Sequence, residues 1–443
     1  MGKGRYWRRE GIELILSSKD NSVEIRRAGS GITAKIRVPG SKSITQRALV
    51  VASLAEGDSE LKSPLNSEDT RLLRKALIYL GISIKDKEDD WIIEGQGGKI
   101  LPVKQDIYLG NNGTGIRFMA SLVSLGQGTY RLTGTKRMAE RPIGPLLEAL
   151  KVWGAEAKSI EKTGCPPVEI QAHGLEGGET ILSASKSSQY LSSLLLVAPI
   201  VRNPAKINLD GPLVSRPYVD LTLAVMEAFG VKVQERDNSF LVPHMTYNAK
   251  TYQIEGDASS ASYFWAAAAV TGGRITVENI PPNALQGDAA FVDILAGMGC
   301  SVKKDTQGVT VQGPSGGVLK AIEVDMGRWP DMVPTLGVVA AFASGTTVIR
   351  NVAHLRIKET DRLKAVAQEL TKIGTSVKEL KDGLIIEGTR DMHGSTIDTY
   401  NDHRIAMAFS VAGLRVPGIR IKDPSCVRKS FPSFWQHWQK ITG

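Results

Sequence analysis

The sequence predicts an α/β protein of two domains, each built from three repeated helix–strand units, on three observations. Five amphipathic stretches stop at a glycine and lead into a β-like run: LLRKALIYLGISI, LLEALKVWGAEA, LTLAVMEAFGVKV, FVDILAGMGCSV and AVAQELTKIGTSV. Their glycines, Gly81, Gly154, Gly230, Gly299 and Gly374, follow one another at intervals of 69 to 76 residues, and FWQHWQKITG, ending at Gly443, reads as a degenerate sixth copy. Between them lie six stretches of smaller apolar residues: ITQRALVVASLAEG, GTGIRFMASLVSLGQG, SQYLSSLLLVAPIV, SSASYFWAAAAVTGG, MVPTLGVVAAFASG and HRIAMAFSVAGL. Helices apolar on nearly all sides are buried ones. The third observation is size, because 443 residues with 42% hydrophobic content hold a core large enough for two domains.

Each unit then runs in the order buried helix, strand, surface helix, pair of strands. Glycine ends the surface helices because it takes the left-handed conformation without a Cβ clash. Strands flanking helices in every unit place the chain among layered α/β proteins.

The starts of the buried helices carry the unusual polar residues, in GSKSITQR, NNGTGIR, SKSSQY, EGDASSASY, RWPDMVP and YNDHRIA. Ser, Asn and Asp there are ordinary N-caps. Capping does not call for Lys42, Arg47, Arg117 or Arg404, because positive charge in the first turn opposes the helix dipole. Helix starts bind anions, and six of them brought to a common face form a site for a multiply charged one. A Walker phosphate loop is a poor reading, because Gly40 is followed by Ser41 and the G-x-x-x-x-G-K-[ST] spacing is missing.

Composition narrows the classes further. The net charge of +9 is spread among acids, with no Lys/Arg-rich block or RNP-type aromatic motif, which argues against nucleic acid. Cys165, Cys300 and Cys426 are odd in number and far apart, favouring neither a disulfide framework nor zinc, and they fit a reducing cytoplasm. No apolar run reaches the ~20 residues of a membrane span, and the start is unlike a secretory signal, residues 1–21 reading as a possible extension. His403 in NDHR has no second ligand at zinc-like spacing, so no metal is expected.

Taken together, PGSKSITQR, LGNNGTGIR, ERPIG, SSQYL, SRPY, EGDASSASYF, RIKETDRL, YNDHRIAM and DPSCVRKSFPSFW resemble the 3-phosphoshikimate 1-carboxyvinyltransferase (5-enolpyruvylshikimate-3-phosphate synthase) family of enolpyruvyl transferases, from about Val23 to the C-terminus. The resemblance implies a two-domain inverse α/β barrel, with residues 1–40 and 257–443 forming one discontinuous domain, 41–256 the other, and the active site in the cleft between them. It implies transfer of the carboxyvinyl group of phosphoenolpyruvate to the 5-hydroxyl of shikimate 3-phosphate, without cofactor or metal. The expected partners are these small molecules alone, with neither nucleic acid nor membrane, for a cytoplasmic monomer of the shikimate pathway that is a glyphosate target.

Position by position, the resemblance implies that Lys42, Ser43, Arg47, Ser187, Ser188, Gln189, Ser215, Tyr218, Asp331, His354 and Lys358 bind shikimate 3-phosphate. Lys42, Gly113, Arg141, Gln189, Arg362, Arg404 and Lys429 would bind phosphoenolpyruvate. Asp331 would take the hydroxyl proton, and Glu359, with Lys42, would exchange the methylene proton. Arginine suits such contacts because its planar fork grips carboxylate and phosphate in a bidentate way. The chain departs from the common pattern at His354, where many relatives carry asparagine, at Asn112, where a small residue is usual, and at Phe118, where proline is common.

Two rival readings stand beside this one. The related transferase acting on UDP-N-acetylglucosamine has a reactive cysteine in the loop before an Arg-Pro, whereas this loop reads TGTKRMAERPIG, with Lys136 near that place. An RNA-binding or RNA-end-processing protein on similar α/β repeats would bind RNA with a steep salt dependence.

Overall fold

The structure is a computed structural model that describes residues 16–17, 21–28, 31–314 and 318–442. Residues 1–15 of the possible extension and Gly443 of the sixth copy lie outside the described residues.

Twelve helices are described: α1 Lys42–Leu54, α2 Glu68–Tyr79, α3 Gly113–Ser124, α4 Gly144–Val152, α5 Gln189–Val197, α6 Pro217–Ala228, α7 Ala258–Thr271, α8 Phe291–Gly297, α9 Val333–Ala341, α10 Arg362–Lys372, α11 His403–Gly413 and α12 Phe434–Thr442. They alternate in character. The odd-numbered helices are buried almost throughout, as in α7, where residues 258–270 are all enclosed, while the even-numbered ones bury one face. Helices α1, α3 and α5 pack on one another, and so do α7, α9 and α11.

The surface helices end as their glycines predict. Gly81, Gly154, Gly230, Gly299 and Gly374 have φ of 93° to 101°. The residue after each donates its N–H to the carbonyl five positions back, as Ile82 does to Leu77 and Cys300 to Leu295, so helix-end carbonyls that would be orphaned are satisfied. The first buried helix is shorter than its apolar run suggests. It stops at Leu54, and Ala55–Lys62 is already a strand, because the chain turns into the sheet at Ala55 and Gly57 lies within that strand.

Among the described residues there are six sheets of four or five strands and one two-stranded pair. Their pairing follows one scheme. Ile107–Tyr108 lies parallel to Gln127–Thr133, which pairs antiparallel with Val168–His173, itself antiparallel to Glu156–Ser159. Thr33–Ile36 with Arg274–Val277, and Gly177–Leu182 with Asn203–Leu209, begin two other sheets in the same way. Around Arg420–Lys422 the antiparallel neighbours are Ser22–Glu24 and then Leu16–Ser17, so the front of the chain completes the sheet that its end begins.

Buried apolar residues form two clusters. One runs from Ile44 to Ile254, and the other takes Val23–Val38 together with residues from Ala258 to Ile441. The chain passes between them twice, and the two passes lie side by side: Ser41 donates to Glu255 O (2.8 Å) and Asp257 to Pro39 O (2.8 Å). Glycine is needed at this crossing, since a Cβ on Gly40 would sit 2.2 Å from Ser63 O.

Candidate functional site

Four helix starts of the first cluster face the second across a narrow cleft. Lys42 and Ser43 occupy the first turn of α1, whose N-cap Ser41 accepts from Ile44 N–H, and Arg47 lies one turn on. Gly113 opens α3 behind the cap Asn112. Ser187 and Ser188 precede Gln189 at the start of α5, and Ser215 and Tyr218 flank the start of α6. At α5 the cap comes from Ser187, whose Oγ accepts from Gln189 N–H (3.2 Å), whereas α9 has no side-chain cap, so RWPDMVP is not a capping sequence of the expected kind.

The opposite wall comes from the second cluster. Asp331 lies in the short turn Pro330–Met332 before α9, and His354 in the turn Ala353–Ile357. Lys358 and Glu359 follow, Arg362 opens α10, Arg404 lies in the first turn of α11, and Lys429 ends the turn Pro424–Lys429.

Most of the expected residues line one pocket: Lys42, Ser43, Arg47, Gly113, Arg141, Ser188, Gln189, Ser215, Tyr218, Asp331, Lys358 and Glu359. Ser187, His354, Arg362, Arg404 and Lys429 stand behind that lining or at its edge. His354 Nε2 is 3.4 Å from Ser215 Oγ, and burial, helped by Lys358, brings its imidazole down to about 4, leaving it neutral at physiological pH.

Arg362 organises the acidic floor. Its Nη1 donates to Asp331 (2.9 Å), its Nη2 to Glu359 (2.9 Å) and its Nε to the fully buried Asp402 (2.8 Å). Arg404 holds the other oxygen of Asp331 at 2.7 Å. Burial works against charge on Asp331, but Arg404, Arg362 and Lys358 overcome it and hold the carboxyl well below its usual range. Glu359 is likewise enclosed, and Arg362, Arg141, Lys429 and Lys42 keep it ionised. Neither acid serves the bland purpose open to it: Asp331 does not cap a helix, and the Glu359–Arg362 pair is buried instead of solvated.

The cations differ in how committed they are. Arg47 donates to Thr222 (2.7 Å), Ser43 O (2.9 Å) and Tyr218 O (2.9 Å) and rides over the Phe118 ring, and burial lowers its guanidinium to about 10. Burial brings Lys358 down to about 8. Arg141 is pinned by Asn111 O and Oδ1 directly above Gly113, where an added Cβ would meet Arg141 Nη2 at 2.3 Å.

Sequence reasoning missed two acids of this site. Asp69 at the start of α2 receives Lys429 at 2.6 Å and Lys42 at 3.2 Å, so one carboxylate bridges lysines from both clusters. Nothing marks it in the sequence, where an acid in a first helical turn is ordinary dipole complementation. Asp288, enclosed in the second cluster, accepts from Tyr218 Oη (3.1 Å) and Ser259, and burial together with Asp331 raises it to about 6. Arg117, the cation that capping does not call for at the start of α3, has a structural place in the cleft. It donates to Gln189 Oε1 (2.9 Å) and Gly113 O (2.7 Å).

Among the described residues no group of three or more His, Cys, Asp and Glu is arranged to hold a metal ion, and no helix is long and apolar enough to cross a membrane.

The chain that builds this cluster of cations around a pair of ionised carboxylates is similar to known proteins along most of its length. A profile of the family described as EPSP synthase (3-phosphoshikimate 1-carboxyvinyltransferase) matches residues 26–438. A 3-phosphoshikimate 1-carboxyvinyltransferase of Syntrophobacter fumaroxidans is 43% identical over 93% of this chain and 98% of that protein. One from Nostoc punctiforme is 43% identical over 94% and 98%. The structure of EPSP synthase from Acinetobacter baumannii superposes with a TM-score of 0.78 at 28% identity, covering 94% of this chain and 97% of that one. The chain belongs to the EPSP synthase (3-phosphoshikimate 1-carboxyvinyltransferase) family.

Proposed function

We propose that the cleft transfers the enolpyruvyl group of phosphoenolpyruvate to the 5-hydroxyl of shikimate 3-phosphate, giving 5-enolpyruvylshikimate 3-phosphate and phosphate. The observation that carries the reading is the pair Asp331 and Glu359, held ionised by arginines and lysines from both clusters in a chain of this family. In the first step Asp331 takes the hydroxyl proton, the oxygen attacks C2 of phosphoenolpyruvate, and Glu359, which takes up a proton as the substrates draw off its cationic partners, delivers it with Lys42 to the methylene carbon. In the second, a methyl proton returns to that pair as the C2–O bond to phosphate breaks, and Asp331 passes the hydroxyl proton to the departing phosphate. Acid and base thus exchange roles between the steps.

The ion pairs around the floor explain how weak bases become useful ones. Before substrate binds, Asp331 and Glu359 act as counterions to Arg362 and Arg404. Substrate phosphates and carboxylates compete for the same guanidinium groups, and each contact they take raises the proton affinity of the carboxylate they displace. Shikimate 3-phosphate is assigned to Lys42, Ser43, Arg47, Ser187, Ser188, Gln189, Ser215, Tyr218, His354 and Lys358. Phosphoenolpyruvate is assigned to Lys42, Gly113, Arg141, Gln189, Arg362, Arg404 and Lys429.

The common pairing scheme of the six sheets supports six helix–strand units in an inverse α/β barrel, three to each domain, with boundaries at Gly40 and Gly256. Three free cysteines support a cytoplasmic setting, and the scattered positive charge supports a monomer that acts on small anions rather than nucleic acid or membrane. Glyphosate is assigned to the phosphoenolpyruvate side.

The test is phosphate release on incubation with both substrates, and with each omitted in turn. Release that requires both, and is indifferent to competitor RNA, is expected. Release from phosphoenolpyruvate alone, or none at all, overturns the reading.

A further inference from the structure

Asn112 is an uncharged side chain at the edge of the cleft that makes three hydrogen bonds. It is 1% exposed. Its Oδ1 accepts from Gly115 N–H (2.8 Å), and its Nδ2 donates to Gln46 Oε1 (2.8 Å) and to the backbone carbonyl of Asp69 (2.8 Å). One amide therefore joins the starts of three helices: α3, which it caps, α1, where Gln46 lies one turn beyond Lys42, and α2, which carries the carboxylate shared by Lys42 and Lys429. Its attachment to Gln46 is not redundant, because Gln46 Nε2 is buried without a partner.

The amide also takes up space that another side chain would need. A Cβ on Gly115 would lie 2.5 Å from Asn112 Nδ2 and 2.8 Å from its Cγ. Gly115 has an ordinary helical φ, so the glycine answers to this contact and not to backbone strain. The next residue after Asn112 is Gly113, whose carbonyl receives Arg117 and whose Cα lies under the Arg141 guanidinium. A small movement of the α3 start therefore moves Gly113 against Arg141 and moves Asp69 against both lysines.

We propose that Asn112 is a positioning residue for the phosphoenolpyruvate side of the cleft and that it works as a matched pair with Gly115. This rests on the assignment of Lys42, Gly113, Arg141 and Lys429 to phosphoenolpyruvate. Asn112 touches no reacting atom. It sets the height of Gly113 beneath Arg141 and the place of Asp69 between the lysines.

The experiment is steady-state kinetics and thermal unfolding of the wild type, Asn112→Ala, Gly115→Ala, the double variant and Asn112→Ser. Asn112→Ala is expected to raise KM for phosphoenolpyruvate about tenfold, the effect of roughly one net hydrogen bond, with KM for shikimate 3-phosphate within about twofold. Gly115→Ala alone is expected to do the same by pushing the amide aside. In the Asn112→Ala background the alanine at 115 is expected to cost nothing further, since its clash partner is gone. Asn112→Ser keeps a capping oxygen but cannot reach Gln46 and the Asp69 carbonyl together, so its Tm is expected to recover while KM for phosphoenolpyruvate stays raised. A merely structural cap moves Tm and both KM values together, and that result overturns the proposal. So does a Gly115→Ala penalty of the same size with and without Asn112. A wild type that turns over neither substrate overturns the functional reading and this inference with it, whereas normal turnover with unaltered KM in every variant overturns this inference alone.

Discussion

Lys358 is the cation of the cleft whose charge is easiest to lose, because burial lowers its ammonium to about 8 while the arginines around it stay protonated. Above that value Lys358 is a neutral amine, and on the proposed assignment it no longer offers a charge to the substrate phosphate. We expect kcat/KM for shikimate 3-phosphate to fall on the alkaline side with an apparent pKa near 8. Lys358→Met should abolish that limb while lowering the plateau, and a wild-type profile flat to pH 9.5, roughly a unit and a half above this value, would remove Lys358 from the phosphate contact. The two carboxylates make a separate test. Replacing Asp331 or Glu359 by its amide is expected to lower kcat by roughly 10²–10⁴-fold, the usual contribution of a proton-transfer group. Shikimate 3-phosphate binding, followed by calorimetry, should largely survive, and near-normal turnover of both amides would exclude them from proton transfer. Lys358, Asp331 and Glu359 were legible in the sequence because they stand in motifs with a family resemblance. Asp69 and Asp288 were not, since each has an unremarkable local context and acquires its role only when distant segments meet at Lys42 and Tyr218.

At the scale of the element, the fold is written most plainly in where helices stop. Gly154 follows α4 at φ 100°, and an added Cβ there would meet only Glu176 Cγ at 3.6 Å, so a Gly154→Ala change isolates the conformational cost. That cost is expected to be about 1–2 kcal/mol, read from denaturant unfolding. Gly297 is the counter-example. It is the last residue of α8, has no positive φ, and nothing lies within 4 Å of a Cβ built on it, so Gly297→Ala is expected to be neutral or to stabilise by up to about 1 kcal/mol. Equal losses at both positions would mean that glycine is retained for some reason other than backbone conformation. The same contrast explains what the sequence left obscure. Helix-stop glycines and buried apolar runs are local signals, so the twelve helices could be placed from them. The parallel strand partners could not, because Gln127–Thr133 finds Ile107–Tyr108 across a helix, and Arg274–Val277 finds Thr33–Ile36 across the whole of the first apolar cluster.

At the scale of the molecule, the question is what brings the two apolar clusters together over the cleft. Outside the paired crossing at Gly40 and Gly256, Pro217 packs on Gly287, but most of the named contacts that span it at the site are polar: Lys429 with Asp69, Arg137 with the carbonyls of Arg356 and Lys358, Tyr218 with Asp288, and Ser215 with His354. Such contacts exchange solvent for protein partners at little net gain, unlike the burial of apolar surface. The charges facing one another are also unbalanced, since Lys42, Arg47, Arg117, Arg141, Lys358, Arg362, Arg404 and Lys429 outnumber Asp69, Asp288, Asp331, Glu359 and Asp402. Anions that fill the cleft remove that repulsion, and an anion that binds the two walls together better than apart draws them closer by that differential affinity. Two outcomes follow for the same preparation. The radius of gyration from small-angle scattering should fall when shikimate 3-phosphate and glyphosate are added, and Asp69→Asn, which removes a carboxylate shared by lysines of both clusters, should expand the ligand-free protein further. Because the driving force is electrostatic, KM for both substrates should rise with ionic strength over the range in which the Debye length shrinks from ~30 Å to ~8 Å. A scattering profile unchanged by saturating ligand and by Asp69→Asn alike would show that the apolar clusters are held together without the cleft's charges, and the sites on the two walls would then be assembled before any substrate arrives.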